Sequence, residues 1–365
     1  MKYKRLGELC NIVSGGTPSR SKTEYWNEGT IPWIKIGNIK GKYINEADEF
    51  ITQMGLDKSS AKLLTKGTVL YSIFATLGEV GILGIDACTN QAIAGITIKD
   101  VSSIDADYLY YYLKSKKSYV NNVGRGVAQN NINLSMLREF EVPLLELHKQ
   151  KEIVTILDMV LNIIVARKEE LKKLDELIKA RFVEMFGDPA TNPMRWSETT
   201  IGDECFYIKD GPHKSLPDIG KENGGHPFIS VRNIVNGYID FSTARYISDE
   251  DYANAIKKCH PEKGDMLYSK GGTTGIAKLI DIDEEFANWV HVAVLKFDKS
   301  KLNGIFFENM LNGDYCFEQS QRLTKGIANR DLVLSAMAQI KMYRPPMEIQ
   351  KQFADFVKQV NKSKF

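Results

Sequence analysis

The chain repeats itself at a period of about 200 residues, and that limits the fold more than any other feature. Ile31-Pro32-Trp33-Ile34-Lys35-Ile36-Gly37-Asn38-Ile39 matches His226-Pro227-Phe228-Ile229-Ser230-Val231-Arg232-Asn233-Ile234. Gly67-Thr68-Val69-Leu70-Tyr71-Ser72 matches Gly264-Asp265-Met266-Leu267-Tyr268-Ser269. Gly126-Val127-Ala128 matches Gly326-Ile327-Ala328, Leu134-Ser135 matches Leu334-Ser335, and Gln150-Lys151-Glu152-Ile153 matches Gln350-Lys351-Gln352-Phe353. All the pairs keep the same order in both halves. The period is too long for a solenoid and right for two duplicated domains, which also suits 365 residues.

Each copy reads as an α+β domain of about 145 residues. It opens with a short helical or strand piece and a Gly/Pro/Ser-rich loop. Strands follow, such as Val69–Phe74 and Val292–Phe297, rich in β-branched and aromatic residues. A tyrosine-rich helix over Ala106–Ser115 has its counterpart near Gly304–Leu311. A polar loop and a strand ending in proline (Pro143; Pro345 and Pro346) close the copy. Strands do not alternate regularly with long helices, which disfavours a doubly wound parallel sheet.

Between the copies, Leu147–Phe186 contains neither proline nor glycine and is dominated by good helix formers. Ile153, Leu157, Val160, Ile164, Leu171, Leu174, Ile178 and Met185 form a heptad stripe, with Arg167 in one expected apolar slot. Gly187-Asp188-Pro189 stops the helix. Such a helix is roughly 60 Å long and, with one narrow apolar seam, needs a partner. The second copy supplies one from about Ile349 to Lys364, with Phe353, Phe356, Val357 and Val360 on one face. An antiparallel coiled coil is expected, and the shorter helix leaves part of the long seam without a mate. If it packs near Met185, the bare stretch is Ile153–Ile164; with the opposite orientation it is Leu171–Met185.

Composition narrows the chemistry. The net charge of +2 neither demands nor excludes nucleic acid, so any basic surface must be local. Cys10, Cys88, Cys205, Cys259 and Cys316 are scattered and never in C-x-x-C spacing, which reads as buried or semi-buried free thiols in a reducing cytosol. The N-terminus lacks the apolar run of a signal peptide, and no stretch is long enough to span a bilayer, so a cytoplasmic location is expected. A DNA methyltransferase would need an adenosylmethionine loop and an Asn/Asp-Pro-Pro-aromatic sequence; Asp188-Pro189-Ala190 and Arg344-Pro345-Pro346-Met347 do not supply the latter. Pro217-Asp218 is followed by no Asp/Glu-x-Lys, and there is no P-loop. Among His148, His213, His226, His260 and His291, none has a spaced nucleophile or carboxylate that singles it out.

Several elements together resemble the specificity (S) subunit of type I restriction-modification systems. They are Arg5-Leu6-Gly7-Glu8, Ser14-Gly15-Gly16-Thr17-Pro18-Ser19, the repeated Pro-Trp/Phe-Ile…Asn-Ile and Gly-x-x-Leu-Tyr-Ser segments, Leu174-Asp175-Glu176-Leu177 running to Arg181-Phe182-Val183-Glu184-Met185-Phe186-Gly187-Asp188-Pro189, and Gln352-Phe353-Ala354-Asp355-Phe356-Val357. The resemblance implies two target-recognition domains, each reading half of a split double-stranded DNA site. It implies helices that dock two methyltransferase (M) subunits, with nuclease–translocase (R) subunits joining through them, and no catalysis or cofactor in the S subunit itself. The expected divisions are residues 1–146, a first target-recognition domain; 147–188, a central helix; 189–347, a second domain; and 348–365, a C-terminal helix shorter than the family's usual one. The uncovered seam is then expected to meet an M subunit or a second copy of the chain. The competing class is a duplicated carbohydrate- or protein-binding adaptor on a helical spacer.

Base readout takes Arg, Lys, Asn, Gln or small hydroxyls at groove depth, and phosphate contact takes Lys, Arg and backbone amides. In the first domain the candidates are Thr17, Ser19, Arg20, Lys22, Asn90, Gln91, Arg125, Gln129, Asn130 and Asn131. In the second they are His213, Lys214, Lys270, Thr273, Thr274, Asn288, Trp289, Lys325, Asn329 and Arg330. His213 lies in Asp210-Gly211-Pro212-His213-Lys214, the second copy's equivalent of the Gly-Gly-Thr-Pro loop. Ordinary turns use the same residue types.

Overall fold

In a computed structural model, residues 2–124, 132–327 and 329–364 are described. The chain falls into two compact units, Met1–Ala166 and Arg167–Phe365, with the boundary inside the central helix Leu147–Phe186.

Each unit holds the same α+β frame. In the first, a sheet runs in the order Cys10–Ser14, Ile93–Ile98, Val69–Ser72, Val80–Leu83, Tyr43–Ile44. A three-stranded sheet places Ile31–Ile34 between Glu49–Ile51 and Cys88–Thr89, and Lys2–Arg5 pairs with Glu141–Leu144. In the second, Cys205–Asp210, Val292–Phe297, Met266–Ser269 and Ala277–Leu279 form the main sheet. His226–Ile229 lies between Arg245–Ile247 and Ala287–Asn288, and Ser197–Thr200 pairs with Lys341–Arg344. The Leu-Tyr-Ser strands are fully buried in both copies, which is why they read as continuous apolar runs. The strand expected over Val69–Phe74 ends at Ser72. There the Ser72 hydroxyl accepts the Glu79 N–H and donates to the Thr76 carbonyl, turning the chain.

The copies differ at one sheet edge. Tyr43–Ile44 pairs parallel to Val80–Leu83, but its repeat, Tyr238-Ile239, lies outside the second sheet. The strand beside this edge also carries glycine in the first copy and lysine in the second. A Cβ on Gly81 would come within 2.7 Å of Ile44 Cδ1. The second copy has Lys278 there, its buried amine held by Asp281 and Glu308.

A buried glutamine joins each helix to its domain. Gln150 Nε2 donates to the carbonyls of Ser103 (2.9 Å) and Leu145 (2.8 Å), and its Oε1 accepts the Asp105 N–H (2.9 Å). Gln350 does the same with Lys301 (3.2 Å), Pro345 (2.7 Å) and the Asn303 N–H (2.8 Å). Asp105 and Asn303 are the N-caps of the domain helices Ala106–Ser115 and Gly304–Asn312. Each glutamine therefore ties the departing helix to the cap of a packed one.

In the second unit the C-terminal helix Met347–Lys362 packs antiparallel to the last turns of the central helix. Phe353 meets Phe182 and Phe186 at ring-centroid distances of 5.4 and 5.5 Å. At the other end Lys364 pairs with Asp175 (2.6 Å). Arg167, the polar residue in the stripe, donates to the Ser363 carbonyl, where a cation suits a helix C-terminus. Ile178 is buried as the stripe requires, and Leu174, Met185 and Phe356 pack at the margin. Phe182 and Phe186, which the stripe omitted, fill the centre against Phe306 and Phe353. Leu171 is half-buried. In the first unit Val154 enters the core with Ile153 against it. Leu157, Val160 and Ile164 are exposed, as are Ile156 and Ile163.

Replacing Gln150 or Gln350 with leucine strands three backbone groups, and an unsatisfied buried group costs about 1–3 kcal/mol. Each variant is expected to lose at least about 2 kcal/mol in urea unfolding. Ile163→Ala, on a residue 67% exposed, should stay within about 0.5 kcal/mol. Glutamine variants as stable as Ile163→Ala would contradict the tie.

Candidate nucleic-acid interface

Sheet register gathers the polar loops. Ser14 lies opposite Ala94, and Ser72 opposite Ile93. The loops after Ser14, after Ser72 and before Ile93 therefore leave one end of the sheet. Ile34 pairs with Thr89, which adds the turn Lys35–Asn38. The Ile132 N–H donates to the Ile73 carbonyl, which holds residue 132 at the same edge. The second domain repeats each join: Asp210 opposite Ala293, Ser269 opposite Val292, Ile229 beside Asn288, and the Leu332 N–H on the Lys270 carbonyl.

The join also explains the small residues at the loop starts. A Cβ on Gly15 would lie 2.2 Å from Thr89 Oγ1, and one on Gly211 would lie 1.7 Å from the Asn288 carbonyl oxygen. The repeated asparagine closes the turn after the Pro-Trp/Phe-Ile strand. Asn38 Oδ1 accepts the Lys35 N–H and Asn233 Oδ1 accepts the Ser230 N–H, both at 2.8 Å.

In the first domain Thr17 hydrogen-bonds Gln91, linking two candidate loops. The Ser19 and Ser21 hydroxyls pair at 2.8 Å, and Lys22 donates to the Tyr25 hydroxyl (3.0 Å). Asn90 Oδ1 accepts the Ala92 N–H. Arg20 stacks 3.6 Å over Trp26 and pairs with Glu49 (2.5 Å), which Lys35 also engages. The Lys35 hydrogen bond, with Arg20 and against burial, holds the Glu49 carboxyl below the usual range. Arg125, Gln129, Asn130 and Asn131 lie outside the described residues.

In the second domain a groove of about 530 Å³ is lined by residues of three candidate loops, among them Trp289, His291, Asn329 and Arg330. Below it, buried Lys270 pairs with Asp331 (2.9 Å) and Asp210 (3.6 Å), and Lys258 reaches Asp210 (3.0 Å). Thr274 and Asn288 are buried as well, Thr274 bonding Thr324 and Asn288 donating to the Val292 carbonyl. His213, Lys214, Thr273, Lys325 and Asn329 are exposed. Arg330 donates to Gln321.

A model of the type I restriction modification DNA specificity domain matches residues 1–175 and again 193–365. The chain belongs to that family. It is 27% identical over 320 residues to the MjaIX type I restriction enzyme specificity subunit of Methanocaldococcus jannaschii, spanning 82% of this chain and 72% of that one. It is 22% identical to the MjaVIII specificity subunit of the same organism, spanning 98% and 85%. The S subunit of the type I restriction-modification system of M. genitalium shares the fold, with a TM-score of 0.55 and 17% identity over 100% of this chain and 90% of that chain. Two family matches in one chain agree with the duplication, and specificity subunits are recognition components rather than catalysts.

Chemical groups outside the loops are held back. Burial pushes the thiols of Cys88 and Cys259 up to about 11, and those of Cys10, Cys205 and Cys316 up to about 12. Among the described residues there is no cluster of His, Cys, Asp and Glu that could hold a metal, and no helix long and apolar enough to cross a membrane.

The candidate set missed parts of this face. The loop Ile73–Leu77 is the first domain's version of Lys270–Thr274 and exposes Phe74 and Thr76. Aligning Ser72 with Ser269 signals it. Ile327 is fully exposed in the second domain. Arg232 and Arg245 also belong to the face, in the turn after Ile229 and the strand beside it.

A depressed Glu49 contributes stability that is present above its unfolded pKa of about 4.3 and lost as pH falls through the folded value. The stability advantage of wild type over Glu49→Gln should therefore shrink as pH drops below about 4.3, followed by denaturant unfolding at stepped pH. An advantage that is flat or grows in acid would contradict the ion-pair assignment.

Proposed function

We propose that each domain reads one half of a bipartite, asymmetric double-stranded DNA target with its loop-bearing sheet end, and that the helices dock M subunits, through which R subunits join. The observation that carries this is the contrast between frame and loops. The sheet registers, the Asn-closed turn, the Ser72/Ser269 turn and the glutamine ties recur in both copies. The residues at matching loop and edge positions of that frame differ: Thr17, Gln91, Phe74 and Glu49 in one copy, and His213, Val290, Gly271 and Arg245 in the other. One frame with two displays suits two different half-sites.

The candidate residues then divide by placement. Exposed Lys214, Lys325 and Asn329 suit backbone or base contact. Buried Lys270, Thr274 and Asn288 support the loops from beneath. The bare stripe at Leu157, Val160 and Ile164 supports docking of an M subunit, because each large aliphatic side chain left in water forgoes about 1.5–3 kcal/mol of burial. The divisions 1–146, 147–188, 189–347 and 348–365 serve as the working assignment of recognition domains and helices.

Expression with the cognate M subunits should give adenine methylation at one split, non-palindromic motif, read by methylation sequencing. The net charge is only +2, so DNA binding should draw on local cations and weaken steeply with salt. Neutralising Lys325 should lower affinity across sequences. A continuous or palindromic motif, methyl transfer by the chain alone, or binding indifferent to salt would refute the reading.

A further inference from the structure

Two arginines on the second domain's face have no arginine counterpart in the first. Arg245 sits opposite Phe228 in the strand register, the position Glu49 holds opposite Trp33. Arg232 lies in the Asn-closed turn where the first copy has Gly37. In the first domain the acid at this place is already neutralised by Arg20 and Lys35. In the second the sign is reversed, and no carboxylate forms an ion pair with either arginine among the described residues.

Their donors are largely uncommitted. A guanidinium has five N–H groups. Arg232 donates to the Thr243 carbonyl (2.6 Å), and Arg245 makes one long contact, 3.5 Å, to the Ser215 hydroxyl. Asp218, the acid that feels both charges, already accepts the backbone N–H groups of Tyr246 and Gly220. Both arginines line a concavity of about 180 Å³ walled by Phe228 and Trp289, and Arg232 continues into the larger groove beside it. Both arginines are exposed, so their free donors are open to a partner.

We propose that Arg232 and Arg245 read bases, and that the half-site of the second domain contains guanine presented in the major groove. A two-pronged donor needs two adjacent acceptors. Guanine offers O6 and N7 side by side, whereas adenine sets an N6 donor beside its N7. The fork of arginine matches that pair, and a lysine point charge does not. Phosphates are served from the exposed rim by Lys214 and Lys325. This assignment rests on the reading of the loop face as the DNA-contacting surface.

The test is methylation sequencing of DNA from cells expressing the chain with its cognate M subunits, as wild type, Arg232→Ala, Arg245→Ala and Arg245→Lys. Wild type should give a split motif with guanine in the half-site that belongs to the second domain. Each alanine variant should lose about ten- to hundred-fold of the preference for guanine there, with the other half-site unchanged. Arg245→Lys should keep overall methylation and still relax the guanine. A uniform fall in methylation with an unchanged motif would assign the arginines to phosphate and overturn the proposal, as would variants indistinguishable from wild type. A wild-type chain that yields no motif at all would instead sink the reading of the face as a DNA surface.

Discussion

The frame depends on two buried primary amides. A side-chain amide fully removed from water is costly unless both of its ends are matched. Gln150 and Gln350 are fully buried and matched by three backbone partners each. Those partners belong to the cap of a domain helix, the segment before that cap, and the residue just after the closing strand. Shifting any one of the three breaks a buried hydrogen bond. The strand that closes each domain and the helix that leaves it are therefore set by the same side chain. The closing strand in turn pairs antiparallel with the strand that opens its domain, Lys2–Arg5 in the first copy and Ser197–Thr200 in the second.

Beyond the amides, the two helices use one apolar stripe in two ways. Positions Val357 and Val360 are buried in the second unit, in one core cluster with Ile178 of the central helix. Their repeats, Leu157 and Val160, are exposed in the first. Sequence duplicated the stripe; the covering surface was not duplicated with it. The first unit adds its own polar tie, with Lys42 and Tyr111 both bonding Asp158 on the helix. The second copy has Gly237, Asn309 and Lys358 at those three places.

Much of this was legible in the chain because it is local or repeated. The central helix was legible as the run without proline or glycine that follows Pro143 and stops at Gly187, and it runs Leu147–Phe186. The antiparallel pairing followed from the position of each helix after its own domain. What was not legible depends on long-range packing. Phe182 and Phe186 sit off the heptad stripe, and only the positions of Phe306 and Phe353 draw them inward. Lys270, Thr274 and Asn288 looked like exposed loop residues, but the neighbouring loops bury them. Arg245 was invisible as a site residue because only the pairing of its strand with His226–Ile229 carries it to the face.

The central claim is that equivalent loops of the two copies face different parts of one DNA target. Thr76 and Thr273 occupy the same exposed position in the repeated turn, which makes them a matched pair of probes. A photo-crosslinker placed at each in turn, in the chain bound to its M subunits and target duplex, reads the contact directly. Crosslinks from the two positions are expected in separate segments divided by an uncontacted spacer. Crosslinks from both positions within one continuous run of bases, or from neither, would contradict it.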